Sequence, residues 1–267
     1  MFLDQAAEGG YKALELGPIG YLPTDIEQLK DDLGRRGLSV CGGSACYDFL
    51  AATSFEDVRK DVDDICKRLQ AFNVKYLMTM DGSQISREDK AGMADVQKRT
   101  YDIFGVMGRY CADTYGIQVL MHPERLSLIE THDELVSLID RGLSICYDTG
   151  HYAAANGSWQ RGDKSVLDFM KEYHDRIPYL HFKNVNPVIR KIEMEEGLSL
   201  EDPRQNDIMC DLEDGVIDYK EFRDLLDSLN FEGVGIIEQD CPNATTDEAY
   251  AMARKNLQYL QRINMIP

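Results

Sequence analysis

The chain has 267 residues, of which 43% are hydrophobic and 28% are charged, enough to bury one large core as a single domain. Its formal net charge of −18 repels phosphate backbones and anionic membrane surfaces, so binding to nucleic acid or to a membrane is not expected. No stretch is long and apolar enough to predict a transmembrane helix, and the first residues lack the basic and apolar regions of a signal peptide.

The cysteine pattern favours a reduced compartment. The seven cysteines occur singly, no two of them form a Cys-x-x-Cys pair, and their number is odd. A disulfide framework or a zinc ribbon would show paired spacings. We therefore expect a cytoplasmic protein, and the negative charge favours a neutral, hydroxyl-rich small molecule as its substrate.

Helical and strand patterns alternate along almost the whole chain. In chain order, they predict helix 2–9, strand 11–16, helix 23–36, strand 38–41, helix 54–72, strand 74–80, helix 86–115, strand 117–122, helix 131–141, strand 143–148, helix 164–175, strand 178–183, helix 218–229, strand 233–238 and helix 244–263. The acidic stretch 193–201 is interpreted as part of a long solvated loop. Short apolar strands separated by long helices predict a parallel sheet covered by helices.

The fold class that fits this alternation is α/β, a TIM-type (β/α)8 barrel formed by residues 1–267 as one domain. Seven strands are predicted where a closed barrel needs eight, and the chain begins in what would be the first helix. The first strand is therefore expected to be absent from this sequence. A barrel is favoured over an open sheet, because no glycine-rich phosphate loop follows a strand and polar residues stand at nearly every strand end.

Those polar residues suggest a metal site, because the carboxyl ends of barrel strands meet at one mouth. In chain order they are Glu15, Asp81, His122, Asp148, His181 with Lys183, and Glu238. Carboxylate and imidazole ligands suit a divalent cation such as Mn²⁺, Co²⁺, Mg²⁺ or Zn²⁺.

Each residue also has a structural interpretation. Asp148 could cap a helix, His181 could be a satisfied core histidine, and Glu15 and Glu238 could be charges at the rim. Glu130 lies near His122-Pro123-Glu124 and could simply complement the dipole of a following helix. The coincidence of such residues at successive strand ends favours the site.

Several segments resemble the xylose-isomerase-like barrel superfamily of sugar isomerases, epimerases and dehydratases, and above all its inosose (2-keto-myo-inositol) dehydratase branch. These segments are GGYKALELGPIGYLPTD at the start, His122-Pro123, 129–131, CYDTGH at 146–151, YLHFKNV at 179–185, DGVIDYKEF at 214–222 and IIEQD at 236–240. One departure concerns the run after His122-Pro123. That branch continues with a second histidine and Gly-Thr, whereas this chain has Glu124-Arg125-Leu126-Ser127.

The resemblance implies one divalent metal held by two glutamates, an aspartate and a histidine. Asp148, His181 and Glu238 match three of these ligands. Glu130 is taken as the fourth, with His122 as the alternative ligand or a nearby acid or base. Mn²⁺ or Co²⁺ is the preferred cation, and Mg²⁺ or Zn²⁺ are alternatives.

The activity that this resemblance implies is dehydration of a keto-cyclitol or related keto-sugar. The catalytic candidates are His122, His151, Lys183 and Glu238, and the residues assigned to substrate binding are Glu15, Asp81 and Glu124. Sugar isomerisation or epimerisation would use the same proton chemistry. A non-catalytic sugar-binding or partner subunit and a metal-dependent endonuclease are further alternatives, although the charge of −18 disfavours the endonuclease. Association into a homo-oligomer is expected only by analogy.

Overall fold

The computed structural model describes residues 2–199 and 201–266, apart from the side chain of Arg87. Within these residues the chain divides into two compact units, Met1–Cys146 and Tyr147–Pro267. The number of independently folding domains stays a prediction, and each unit is described by itself below.

The first unit contains parallel strands joined by helices. Its strands are β1 (Ala13–Leu16), β2 (Ser39–Tyr47), β3 (Tyr76–Asp81), β4 (Gln118–His122) and the beginning of β5 (Ser144–Asp148), each parallel to the next in chain order. Its helices are α1 (Phe2–Gly9), α2 (Ile26–Gly34), α3 (Arg59–Ala71), α4 (Arg87–Lys90), α5 (Ala94–Tyr115) and α6 (His132–Ile139), with a short 3₁₀ turn at Phe55–Asp57. The predicted helix 86–115 is thus two helices, separated by a turn that contains Gly92, a residue of low helix propensity.

The second unit begins at the end of β5 and has a parallel pair of its own. Strands β6 (Tyr179–Phe182) and β9 (Val234–Ile237) pair in parallel, whereas β7 (Asn184–Val185) and β8 (Met209–Cys210) form a short antiparallel ladder. Its helices are α7 (Thr149–Asn156), α8 (Ser165–Tyr173), α9 (Pro187–Glu196), α10 (Tyr219–Ser228) and α11 (Thr246–Arg262), with 3₁₀ turns at His174–Arg176 and Pro203–Asp207.

All seven predicted strands are present, but α7, α9 and the β7–β8 ladder were not predicted. The interpretation of 193–201 as a solvated loop is wrong for its first residues, because α9 continues to Glu196. Asn186 caps that helix through its side chain and Pro187 occupies the first turn, where its missing N–H costs nothing. Glu193 on the same helix forms an ion pair with the buried Arg190, at 2.6 Å.

The burial of the strands explains why their sequences are continuous runs of mostly apolar residues. Every residue of β6 is buried, as are the last four residues of β4 and of β5. Strands buried on both faces are typical of parallel sheets covered by helices. The polar residues that end these strands are therefore brought into a dry environment. In the described part of the chain, no helix has the length and apolar character needed to cross a membrane.

Candidate metal centre and its surroundings

Three strand ends of the second unit bring potential metal ligands together. Asp148 is the last residue of β5, His181 lies in β6, and Glu238 directly follows β9. The parallel pairing of β6 with β9 places His181 opposite Ile236, and the amide of Glu238 donates to the carbonyl of Phe182. The register therefore directs both side chains towards the same end of the pair.

The ligand atoms of these three residues converge. The Nδ1 atom of His181 lies 2.5 Å from Oε2 of Glu238 and 3.9 Å from Oδ2 of Asp148. Asp148 and His181 are almost completely buried, whereas the side chain of Glu238 is 36% exposed. Two carboxylates and an imidazole around one point are a donor set that fits a divalent cation such as Mn²⁺ or Zn²⁺. One face, at Glu238, remains accessible.

A buried lysine lies against the same carboxylates. Nζ of Lys183 is 3.3 Å from Oδ2 of Asp148, 3.4 Å from Oε1 of Glu238 and 3.0 Å from Oδ2 of Asp240. It also lies 2.9 Å from Nε2 of His151. An ammonium group buried to 1% exposure requires such partners, because desolvating an unpaired charge is expensive.

Asp148 serves as a helix cap and as a site residue at once. Its Oδ1 atom accepts a hydrogen bond from the amide of His151, at 2.7 Å, and so begins helix α7. Its Oδ2 atom faces His181 and Lys183. The two interpretations of this aspartate are therefore compatible, because each uses a different oxygen.

The strand ends are held in place by Thr149 and Tyr219. The Thr149 hydroxyl lies 3.1 Å from the carbonyl of His181, 2.8 Å from that of Lys183 and 2.7 Å from the Tyr219 hydroxyl. Gly150 allows α7 to approach this strand end, since a Cβ atom there would be 2.7 Å from Cβ of Lys183. Burial raises the pKa of the Tyr219 hydroxyl well above its ordinary value, so Tyr219 stays protonated and able to donate.

The remaining predicted residues belong to the first unit. His122 ends β4 and is fully buried, whereas Glu15 on β1 and Glu124 in the loop after β4 are half-buried. Asp81 is also fully buried, and its carboxylate accepts hydrogen bonds from the amides of Phe49, Ser83 and Leu128 and from the Ser83 hydroxyl. These bonds give Asp81 a role in holding two loops.

Glu130 contacts a cation of the chain itself. Its Oε1 atom is 3.0 Å from Nζ of Lys90, and its Oε2 atom accepts from the amide of Leu126 at 2.8 Å. Both residues of the ion pair are buried. Each carboxylate oxygen of Glu130 is thus directed at a donor within the first unit.

Sequence reasoning missed four residues that shape these surroundings: Lys90, Thr149, Tyr219 and Asp240. Asp240 and Thr149 stand in the quoted EQD and DTGH segments, so their position beside candidate ligands was the available signal. Lys90 gave no signal, because it lies on a short helix 40 residues before Glu130.

The family model for the xylose isomerase-like TIM barrel matches residues 3–263. The chain belongs to this family. The expected α/β barrel fold class and the resemblance to this superfamily are thereby confirmed.

Similar proteins carry enzymatic names. An inosose dehydratase of Klebsiella pneumoniae is 27% identical over 270 residues, which cover 95% of this chain and 87% of the relative. An inosose dehydratase of Clostridium beijerinckii is 25% identical, with coverages of 95% and 86%. These relatives confirm the expectation that the protein is an enzyme.

Solved structures share the fold. The IolI protein, whose crystal structure has a zinc atom, aligns with a TM-score of 0.69 at 14% identity, covering 98% of this chain and 91% of that one. The 3-keto-D-glucoside 4-epimerase YcjR from E. coli aligns with a TM-score of 0.65 at 17% identity, with coverages of 96% and 90%.

Proposed function

We propose that the protein is a divalent-metal-dependent dehydratase, a carbon–oxygen lyase that acts on a keto-cyclitol or a related keto-sugar. The observation that carries the proposal is the convergence of Asp148, His181 and Glu238 beside the buried Lys183. The relatives named inosose dehydratase support the choice of reaction and substrate class.

As ligands we propose Asp148, His181 and Glu238, whose ligand atoms converge within the second unit. The fourth ligand stays a prediction from the resemblance, with Glu130 and His122 as its two candidates. Glu130 was the first choice on resemblance alone, but its carboxylate is directed at Lys90 and at the Leu126 amide. We propose Mn²⁺ or Co²⁺ as the cation, with Mg²⁺ or Zn²⁺ as alternatives.

A bound cation would supply Lewis-acid stabilisation of the oxygen that becomes negative when a proton leaves the carbon beside the ketone. Among the residues of the chain, Glu238 has its Oε2 atom towards His181 and its Oε1 atom towards Lys183. Because Oε2 faces the proposed ligand His181, Oε1 is the oxygen of Glu238 that can accept the proton. Lys183 and His151, which share a short contact, can deliver a proton to the departing hydroxyl.

Substrate contacts are proposed for Glu15 and Glu124, whose half-buried carboxylates could accept hydrogen bonds from hydroxyl groups. Asp81 is left out of this set, because its oxygens already receive backbone amides. We further propose a cytoplasmic location, supported by the single, scattered positions of the seven cysteines in the sequence, and a homo-oligomer by analogy with the family.

The first experiment measures the metal content of protein purified without chelator, for the wild type, Asp148→Ala and Asp218→Ala. Asp218 caps α10 through its side chain, as Asp148 caps α7, so it reproduces the loss of a cap without touching the centre. We expect near-stoichiometric metal in the wild type and in Asp218→Ala, and loss in Asp148→Ala. A wild type that takes up no metal after incubation with Mn²⁺ or Co²⁺ would contradict the proposal.

The second experiment identifies the reaction by mass spectrometry of keto-cyclitols incubated with the metal-loaded protein. A dehydratase yields a product lighter by one water molecule, whereas an isomerase or epimerase yields a product of unchanged mass. Unchanged mass with altered retention would replace lyase by isomerase and leave the metal site intact. Ligand binding without turnover would favour a non-catalytic sugar-binding protein.

A further inference from the structure

A buried cation in the first unit binds the segment that follows β4. Lys90, the last residue of α4, is 7% exposed. Its Nζ atom lies 3.0 Å from Oε1 of Glu130, 3.1 Å from Oε2 of Glu134 and 3.1 Å from the carbonyl of Ser127. A single ammonium group thus joins two points of the segment between β4 and α6, Ser127 and Glu130, to Glu134 in the first turn of α6.

Glu130 uses its other oxygen on a residue in an unfavourable backbone conformation. Leu126 has a φ of 60°, in the left-handed region that non-glycine residues rarely adopt. Its amide donates to Oε2 of Glu130 at 2.8 Å, and its carbonyl accepts from the amide of Ile85 at 2.7 Å. The conformation persists because both backbone groups of Leu126 are held.

The segment held in this way carries residues assigned to the active site. Leu126 follows Glu124 by two residues and His122 by four, and the Ser127 hydroxyl donates to the carbonyl of Glu124 at 2.7 Å. In barrels of this kind, the loops after the strands form the substrate end. A change at Leu126 would therefore move Glu124 directly.

We propose that Glu130 is a positioning residue and that the Lys90–Glu130 ion pair fixes Leu126 in its left-handed conformation, so that Glu124 is oriented for substrate. The inference rests on the proposed function for the role of Glu124, but its structural part does not. A buried ion pair is weak evidence for stability alone. Here the geometry points to positioning, since the second oxygen of Glu130 is directed at the strained residue.

The test compares Glu130→Gln and Lys90→Met with the wild type and with Asn73→Gly. Asn73 also has a positive φ, of 57°, but lies in the turn before β3 and serves as the control. We expect Glu130→Gln and Lys90→Met to keep their metal. Both should raise KM by about tenfold or more, with a smaller change in kcat. The control should leave KM unchanged.

A second substitution, Leu126→Gly, separates positioning from a general loss of folding. Glycine adopts a positive φ without the support of Glu130. The double variant Glu130→Gln/Leu126→Gly should therefore have a KM close to that of the wild type. Failure of this rescue, with KM still raised, would overturn the inference. Loss of metal from Glu130→Gln would also overturn it, because Glu130 would then be a ligand.

Hydrogen exchange of the metal-free protein keeps this test independent of catalysis. We expect the amides of Leu126 and Ile85 to exchange faster in Glu130→Gln and Lys90→Met than in the wild type, while amides of β3 stay protected. Unchanged exchange at both positions would overturn the inference. If the wild type binds no metal but the exchange changes as expected, the proposed function fails and the structural role of the ion pair stands.

Discussion

Lys183 contacts the same carboxylates that are proposed to hold the metal. Its ammonium group lies 3.3 Å from Asp148 and 3.4 Å from Glu238. It therefore offsets the negative charge of these carboxylates, which would otherwise attract a metal cation more strongly. We expect Lys183→Met to bind Mn²⁺ about tenfold more tightly, which is about 1.4 kcal/mol. Turnover should fall by about 10²- to 10⁴-fold, because a proton donor is lost. Calorimetric titration and steady-state kinetics measure the two effects.

The control for this prediction is Lys164→Met, which removes a lysine paired with Glu221 on the exposed surface of the same unit. Surface pairs contribute little to stability, and both metal affinity and turnover should be unchanged. Weaker metal binding in Lys183→Met would contradict the prediction and show that Lys183 organises the ligands instead of competing with the cation.

Glu134 should make the stability of the protein depend on acidic pH. Burial alone would raise its pKa, but the amides of Glu130 and Thr131, with Lys90, lower it below its ordinary 4.5. The unfolded chain therefore binds this proton more readily than the folded chain. Its contribution is complete above about pH 4.5 and is lost as the pH falls through the folded pKa.

Glu134→Gln should accordingly flatten the decline in stability below pH 4.5, as measured by urea unfolding between pH 3 and 6. Glu134 forms a capping box with Thr131 at the start of α6. Glu248 is the matched control, because it holds the same position in the capping box at the start of α11. Its pKa is also lowered by the Thr245 amide and hydroxyl, but its exposure allows solvent to screen the effect. An equal change in both variants would contradict the role assigned to burial and Lys90.

At the scale of single residues, spacing in the sequence could predict Asp148, His181 and Glu238, because each stands at the end of an apolar strand. It could not decide between His122 and Glu130. That choice depends on Lys90, whose side chain meets Glu130 only after the chain has folded. Asp240 stands two residues after Glu238, but its contact with Lys183 could not be predicted, because the two residues lie 57 positions apart and meet only in the folded chain.

At the scale of elements, helix α7 packs so closely against Lys183 that position 150 is restricted to glycine. A Cβ atom at Gly150 would lie 2.7 and 2.8 Å from Cβ and Cγ of Lys183 and 3.0 Å from its backbone carbonyl carbon. Gly150→Ala should destabilise the protein by about 1–3 kcal/mol through overpacking. It should also lower the metal affinity, because Lys183 and the end of β6 must shift. Urea unfolding with and without Mn²⁺ measures both effects.

Gly105→Ala in the middle of α5 is the control for helix propensity. The nearest atom to its added Cβ would be Nη1 of Arg109, at 3.6 Å, an ordinary contact. We expect this variant to be more stable by about 0.5–1 kcal/mol, because alanine favours the helix. If Gly150→Ala were stabilised to the same extent, the close approach of α7 to the strand would not constrain this position.

The elements that the sequence could not predict are those whose stability comes from partners far along the chain. Helix α7 contains Gly150 and follows a strand without a linker, so its DTGH start resembles a turn. Helix α9 is rich in charge, and its buried residue is Arg190. The Arg190 guanidinium donates to the carbonyl of Gly157, 33 residues earlier in the chain. Long amphipathic helices such as α5 were predicted because their own periodicity defines the buried face.

At the scale of the whole molecule, the net charge of −18 bears on metal binding and on stability together. Self-repulsion within an acidic chain weakens the compact state, and added salt screens it. A divalent cation could therefore stabilise this protein in two ways, by general screening or by occupying the proposed centre. The two can be separated, because screening does not depend on Asp148.

A cation that binds the folded state alone stabilises it by about 2.7 kcal/mol at a free concentration one hundred times its Kd. For a chain of this size that corresponds to a rise of several degrees in Tm. We expect Mn²⁺ to raise the Tm of the wild type by this amount above the rise produced by sodium chloride of equal ionic strength. Asp148→Asn keeps a side-chain oxygen to cap α7 but removes the ligand charge, and should retain only the effect of ionic strength. An equal response of the two proteins to Mn²⁺ would mean that the cation acts on the acidic surface and not at the strand ends.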